Sequence, residues 1–307
     1  MELLIVVVVI AILAAITIVA FNGIQDRAQD SAVQASVDQA NKKILTFAAT
    51  NNESYPSDQA AFLSEAGVTS TAEETYEYFV SQNLKNYCVG VYSTINPELA
   101  YARSNTSAGQ IAGRCIRNHA LNPSFETSAF TSVGDMGGGG TDSSRAASAA
   151  WASAGTQSNL VTKTVATGNP KGTRVGINQS VVVGDVVNWK ATIRNNAPSP
   201  RQFQLYGERG SPTYGAIGGS GCQTLATGAI QTISGGATIV AGTAGSIGLG
   251  VLPCGANTLV GESHNIDGFV ITVNQPLPVG YADGTSPGWA WDGAPHVSSS
   301  FGPALTQ

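Results

Sequence analysis

The sequence predicts an α+β chain: a long N-terminal helix, a small mixed head and a larger all-β sandwich. Three observations lead there. An apolar run opens the chain and passes into a stripe of helical period. Three β-prone runs follow, and beyond residue 118 helical periodicity disappears while Gly and Thr rise. The boundaries are then 1–52 for the helix, 53–117 for the head and 118–307 for the sandwich with its Gly/Trp-rich tail. Charged residues are 11% of the chain, against about 25% in ordinary globular proteins. With 15 Lys and Arg and a net charge of −5, there is no basic footprint for nucleic acid. The apolar content of 42% suffices for a packed core. Three His and four Cys without CxxC or HExxH spacing give a zinc enzyme no support.

From Leu3 to Phe21 every residue is apolar except Thr17. About 19 residues at 1.5 Å each span roughly 28 Å, close to the hydrocarbon thickness of a bilayer. A cleavable secretory signal would carry a basic n-region, a shorter apolar core and a small-residue cleavage site. The first charge here is instead the acid Glu2. Segment 1–21 therefore reads as a retained helix able to cross a membrane or pack among other helices. Segment 22–52 is its amphipathic continuation: Val33, Val37, Ala40, Ile44 and Phe47 recur at helical spacing. The stripe ends near Asn51 and Asn52, before Tyr55-Pro56. One helix of about 50 residues, on the order of 75 Å, results. Its first half seeks lipid or other helices; its second seeks a globular domain.

The run Glu2-Leu3-Leu4-Ile5-Val6-Val7-Val8-Val9-Ile10-Ala11-Ile12-Leu13-Ala14-Ala15-Ile16 resembles the start of a mature type IV pilin. An acid heading so long an apolar run is specific, because a carboxylate in lipid costs several kcal/mol. The resemblance implies that Glu2 compensates the N-terminal amine of a neighbouring subunit in a filament core. The plainer alternative is a membrane anchor with an acid at headgroup level. The resemblance further implies a helical homopolymer, an extracellular pilus, a membrane-anchored state before assembly, pilus assembly machinery as partner, and methylation. By the family pattern three residues and a basic leader precede Met1. The family's helix-breaking proline falls at Val19, which leaves Gly23, costing about 1 kcal/mol in a helix, as the soft point. Ala11 replaces a common family glycine.

In the head, Ser57 and Asp58 after Pro56 form a helix start, and Ala60, Ala61 and Leu63 populate a short helix ending at Gly67. The β-prone runs 76–80, 87–92 and 99–103 make a small antiparallel sheet under the long helix, an order that again resembles a pilin head. That family often ties its C-terminal loop with a disulfide. Cys88 and Cys115 read either as such a bridge, worth roughly 3–4 kcal/mol, or as two buried thiols; an extracytoplasmic address favours the bridge. Cys222 and Cys254 read the same way.

Past residue 118, the stretch 134–149 reads as a flexible loop by composition. Strand candidates then recur at 159–166, 173–183, 185–194, 202–208, 228–233, 237–240, 246–251 and 265–273, with Gly-rich turns between them. Such a pattern indicates a β-sandwich. Val187, Trp189, Ala191 and Ile193 alternate with Asn188, Lys190, Thr192 and Arg194, which puts Trp189 on the core face. The opening Leu121-Asn122-Pro123-Ser124-Phe125-Glu126 and the closing Ile266-Asp267-Gly268-Phe269-Val270-Ile271 resemble the first and last strands of jelly-roll carbohydrate-binding modules. The tail, Tyr281-Ala282-Asp283-Gly284 to Trp289-Ala290-Trp291-Asp292-Gly293, resembles a segment following such modules in cell-surface and phage-tail proteins.

That likeness implies a structural Ca²⁺ shared by Glu126 and Asp267, hard oxygen donors; ordinary hydrogen-bonded carboxylates are the other reading. Sugar binding needs exposed aromatic platforms with polar partners. Trp289 and Trp291 share a strand face and either pack over the sandwich or meet a ligand. Tyr206 and Tyr214 flank Gly207 to Pro212 as candidates to line a loop-borne site. Glu262, His264, Asn265 and Asp267 come without a GxSxG elbow or an activated nucleophile, so no enzymatic activity is expected. The readings are a structural type IV pilus subunit, a minor pilin gripping surface glycans of another cell, or a secretion-system pseudopilin. The large appended domain argues against the last.

Overall fold

The computed structural model describes residues 2–127, 133–136, 143–165, 172–177, 179–209, 215–242, 244–254 and 259–304. Helix α1 (Glu2–Thr50) is unbroken, as the spacing predicts, and runs through Gly23. Its halves meet different surroundings. Ile10, Ile16 and Phe21 stand about 60% exposed, whereas Val33, Val37, Ala40 and Ile44 are buried. The helix stops where Asn52 and Glu53 take left-handed φ values of 54° and 57°, which lets the Glu53 N–H reach back to the Ala48 carbonyl. Helix α2 (Gln59–Ser64) starts on Asp58, whose carboxylate accepts the Ala61 N–H at 2.8 Å.

The head sheet is antiparallel, in the order β1 (Glu74–Val80), β2 (Tyr87–Ser93), β3 (Ala100–Ser104), β4 (Ile111–Ala112). Tyr78, Tyr87 and Val89 pack with Ala40, Ile44, Phe62 and Val68 into one core. Val91 meets Val33 and Val37. Strand β5 (Cys115–Asn118) is tied to β2 by the Cys88–Cys115 disulfide, Cα–Cα 6.0 Å. The second bridge joins Cys222 to Cys254.

Two sheets make the sandwich. One has the order β14 (Ile230–Thr238), β10 (Val186–Asn195), β16 (Ser263–Val273), β8 (Ser158–Lys163), β7 (Ser143–Ser148). The other runs β12 (Gly215–Gly219), β11 (Arg201–Arg209), β15 (Ile247–Pro253), β9 (Gly172–Gly176), β6 (Val133–Met136), with β13 (Gln223–Leu225) also on β11. Between them lie Trp189, Ile193, Phe203, Leu205, Leu249, Val251, Ile266, Phe269 and Ile271. Trp189 is in the core, as the alternation predicts.

Several expectations are corrected. The 134–149 stretch carries β6 and β7, both edge strands, with residues 137–142 outside the described set. An edge strand needs few apolar side chains, so the Ser- and Ala-rich composition of β7 and the Gly-rich surroundings of β6 hid them. Leu121–Glu126 is a turn rather than a first strand: Asn122 and Phe125 have φ of 53° and 54°, and Phe125 is buried against Phe269. The run 173–183 ends as a strand at Gly176, and 228–233 and 237–240 belong to one strand, β14.

The tail meets the sandwich at its start, where Tyr281 lies against Gly268 of β16 and Ser124 donates to Asp283 at 3.4 Å, and then turns to the head. It forms β17 (Ala290–Trp291) and β18 (Ser300–Pro303), in a sheet ordered β17-β18-β5. Phe301 is buried among Cys88, Ala102, Cys115 and Ala290 of the head–tail junction. Two amides lock this junction. Buried Asn118 donates to the carbonyls of Phe269 and Ala282 at 3.0 and 3.2 Å and accepts the N–H groups of Ala120 and Ile271. Gln275 donates to the Cys115 carbonyl at 2.7 Å and accepts the Arg117 N–H at 3.0 Å.

Candidate functional site

The apolar half of α1 is long and apolar enough to cross a membrane, and its described side chains find no cover within the molecule. Glu2 starts this helix; its side chain lies outside the described set. Gly23 has open space around it and no break in the helix. Where the helix enters the head, polar contacts fix its rotation. The Tyr101 hydroxyl donates to Asp30 at 2.7 Å, Ser36 donates to Glu74 at 2.7 Å, Arg103 pairs with Asp38 at 3.0 Å, and Tyr87 donates to Asn41.

Of the aromatic candidates, Tyr206 stands on a described sheet face that a ligand can approach. It is half-buried on β11, and its cross-strand partners are Gly219 and Gly250. Directly opposed residues share a face, so bare backbone flanks the ring on both sides. Two positions on, Glu208 points to the same face and pairs with Arg174 of β9 at 3.3 Å. Arg174 lies across Gly248, where a Cβ would fall 1.9 Å from its Cδ. The ring supplies a stacking surface and the half-buried Arg174 supplies donors, while Glu208, 5% exposed, is engaged in holding that guanidinium. The sequence put Tyr206 on the strand candidate 202–208, which β11 bears out, as a residue lining a loop-borne site. The glycine partners were invisible without the register. Tyr214 lies outside the described residues.

The two tail tryptophans differ in exposure. Trp289 is 3% exposed, and its indole N–H donates to the Pro303 carbonyl at 2.9 Å, so it offers no face to a sugar. Trp291 lies on Gly284, where a Cβ would fall 2.3 Å from its Cγ, and its ring meets His296 at 4.8 Å. The ring is nevertheless only half-buried, so part of its surface stays open.

Glu126 and Asp267 do not share a cation site. Asp267 accepts the N–H groups of Ser153 and Ala154 at 2.6 and 2.8 Å, and the Ser153 hydroxyl at 3.0 Å. Glu126 accepts the N–H groups of Thr156 and Gln157 and the Thr156 hydroxyl at 2.6–3.0 Å. The two carboxylates thus hold the ends of one loop, and the donors turned toward them would repel a cation. Among the described residues no group of three or more His, Cys, Asp or Glu could hold a metal. Burial raises Asp267 to about 6 despite its amide partners. At Glu126 burial also works upward, but the Thr156 and Gln157 bonds prevail and leave it below the usual carboxyl range.

On the outer face of the other sheet, Lys190 donates to the carbonyls of Pro278, Val279 and Gly280. Three acceptors engage all three ammonium hydrogens. Burial lowers Lys190 to about 8, which still leaves it charged at neutral pH.

No protein-family model and no curated protein matches the chain. Among solved structures it is similar to the CBM22-1 xylan-binding domain from Paenibacillus barcinonensis Xyn10C, at 18% identity over 54% of this chain and 97% of that one, TM-score 0.39. It is similar to the C-terminal family 22 carbohydrate binding module of Clostridium thermocellum Xyn10B, at 16% identity over 52% and 93%, TM-score 0.40. It is also similar to the enzymatically active domain of tailspike protein 4 of bacteriophage CBA120, at 8% identity over 51% and 21%, TM-score 0.38.

Proposed function

We propose that the chain is a pilin-like surface subunit acting chiefly as an adhesin, with its helix in the membrane or filament core and its sandwich presented outward to glycans. The anchored half of this reading rests on the division of α1, whose described apolar side chains between Val6 and Ile24 are bare while those from Val33 onward pack into the head; the adhesive half rests on the half-exposed Tyr206 face. Each exposed Val, Ile or Leu gains roughly 1.5–3 kcal/mol once covered. Lipid before assembly and neighbouring helices after it are the surfaces that would cover them. The two disulfides suit an oxidising, extracytoplasmic address. The Tyr206 face, with Glu208 and Arg174, is the candidate sugar platform.

A glycan array probed with the detergent-solubilised full chain tests the adhesive role. Saturable binding that Tyr206→Ala weakens at least tenfold is expected; a blank array for the wild type overturns adhesion. A second reading, a structural pilus subunit, is favoured by the exposed helix itself and predicts filaments built mostly of this chain. There Glu2→Ala should leave the heads folded but impair assembly. Normal filaments from that variant, imaged by electron microscopy, would remove the role given to Glu2.

A further inference from the structure

We infer that the free edge of strand β1 is a docking site for an extended acidic peptide, which pairs with it as a further strand. β1 is the outermost strand of the head sheet. The Ser81 N–H bonds the Asn86 carbonyl and the Thr94 N–H bonds the Glu73 carbonyl, so odd-numbered residues of β1 turn their backbone groups toward β2. Tyr76, Tyr78 and Val80 therefore turn their N–H and carbonyl groups outward. Among the described residues one side chain serves them. The Gln59 amide donates to the Tyr76 carbonyl at 3.0 Å, where a neighbouring strand would otherwise donate. Exposed edges are normally blunted by Lys, Pro or a bulge. Glu74–Val80 has neither Lys nor Pro and pairs with β2 in unbroken register.

A groove of about 560 Å³ runs along this edge. Tyr76, Glu77, Tyr78 and Phe79 all line it, and four consecutive strand residues, whose side chains alternate between faces, share a lining only at the strand's rim. They span about 13 Å. Across the groove stand Arg117, Asn274 and Gln275. A peptide is favoured over a sugar because the outward donors and acceptors are backbone groups of alternate residues, roughly 6.8 Å apart, which is the repeat of an extended chain. The far wall sets the side chain. Glu77 is already held by Arg114, whose Nε donates to both carboxylate oxygens at 3.1 Å. Arg117 pairs with Asp292 at 3.5 Å, and its Nε has no hydrogen-bond partner. A guanidinium carries five N–H donors, so Arg117 keeps donors for a second carboxylate. Its packing on Phe79, 4.8 Å from the ring centroid, holds the guanidinium beside the edge. An Asp or Glu on the incoming strand meets it there.

The inference is independent of whether the chain polymerises or binds glycans at Tyr206. Its test is selection of a random heptapeptide phage library on the detergent-solubilised full chain, followed by titration of the enriched peptide into the ¹⁵N-labelled chain. An enriched family sharing an Asp or Glu is expected, and its synthetic member should shift the Tyr76 and Tyr78 amide resonances saturably. Replacing that acid by its amide, methylating alternate peptide nitrogens, or Arg117→Met should each weaken binding at least tenfold. Tyr206→Ala should leave it unchanged. No enriched family, an enriched peptide that leaves both amides unmoved, or equal binding by the N-methylated or the neutral peptide overturns the site. Xylohexaose is the counter-probe: shifts of the same amides with it alone would give the groove to sugars and overturn the inference as well. Should Arg117→Met fail to fold, the peptide variants still decide.

Discussion

Asp267 and His264 sit three positions apart on β16 and pull acid stability in opposite directions. Asp267 is raised from 3.8 to about 6, so its contribution is present below pH 4 and is lost as pH rises through 6. His264 is lowered from 6.5 to about 4, so its contribution is present above pH 6.5 and is lost as pH falls through 4. Each effect is on the order of 3 kcal/mol, and over pH 4–6 they nearly cancel. Urea unfolding of Asp267→Asn should therefore show stability rising with pH across that window, while the wild type stays nearly flat. A flat profile in the variant would contradict the buried, neutral His264. Lys190→Met should cost about 3 kcal/mol by stranding three carbonyls, read as a lowered urea midpoint. At this scale the sequence was only half legible. Trp189 declared its core position by alternation, but nothing in the string showed that Glu126 and Asp267 hold one loop. Nor did it show that Trp291 lies on Gly284.

At the scale of elements, helices spoke more plainly than edges. The 3.6-residue stripe predicted α1 because burial of Val33, Val37, Ala40 and Ile44 on one face demands that spacing. Strands β6 and β7 were hidden because edges need little apolar side chain. The three-stranded β17-β18-β5 sheet was hidden because its partners lie nearly two hundred residues apart, and no local pattern encodes so distant a pairing. Phe301 is what fastens that sheet to the head. Phe301→Ala should cost about 3–5 kcal/mol and release the tail. Hydrogen exchange over 281–304 is the check, and retained protection there would show that β18 is held by its ladder alone.

For the whole molecule, the first twenty-odd residues and the rest of the chain are energetically separable. Deleting residues 2–23 should leave the thermal transition within a few degrees of the full chain, since the first buried helical side chain is Val33. The same deletion should convert a detergent-requiring chain into a freely soluble one, as seen by gel filtration without detergent. Loss of the head's transition would mean that the bare half of α1 supports the fold after all.

The Cys88–Cys115 bond also decides how the molecule carries a pull. Tension applied to the sandwich would arrive along the main chain at Asn118, pass up β5 to Cys115, and cross the sulfur bridge to Cys88. The stretch between them, including β3 and β4, is bypassed, so these strands feel no stretching force while the bridge is intact. A drag on the outer domain thus reaches the helix by a covalent shortcut, and a reducing environment would lengthen the tether rather than sever it.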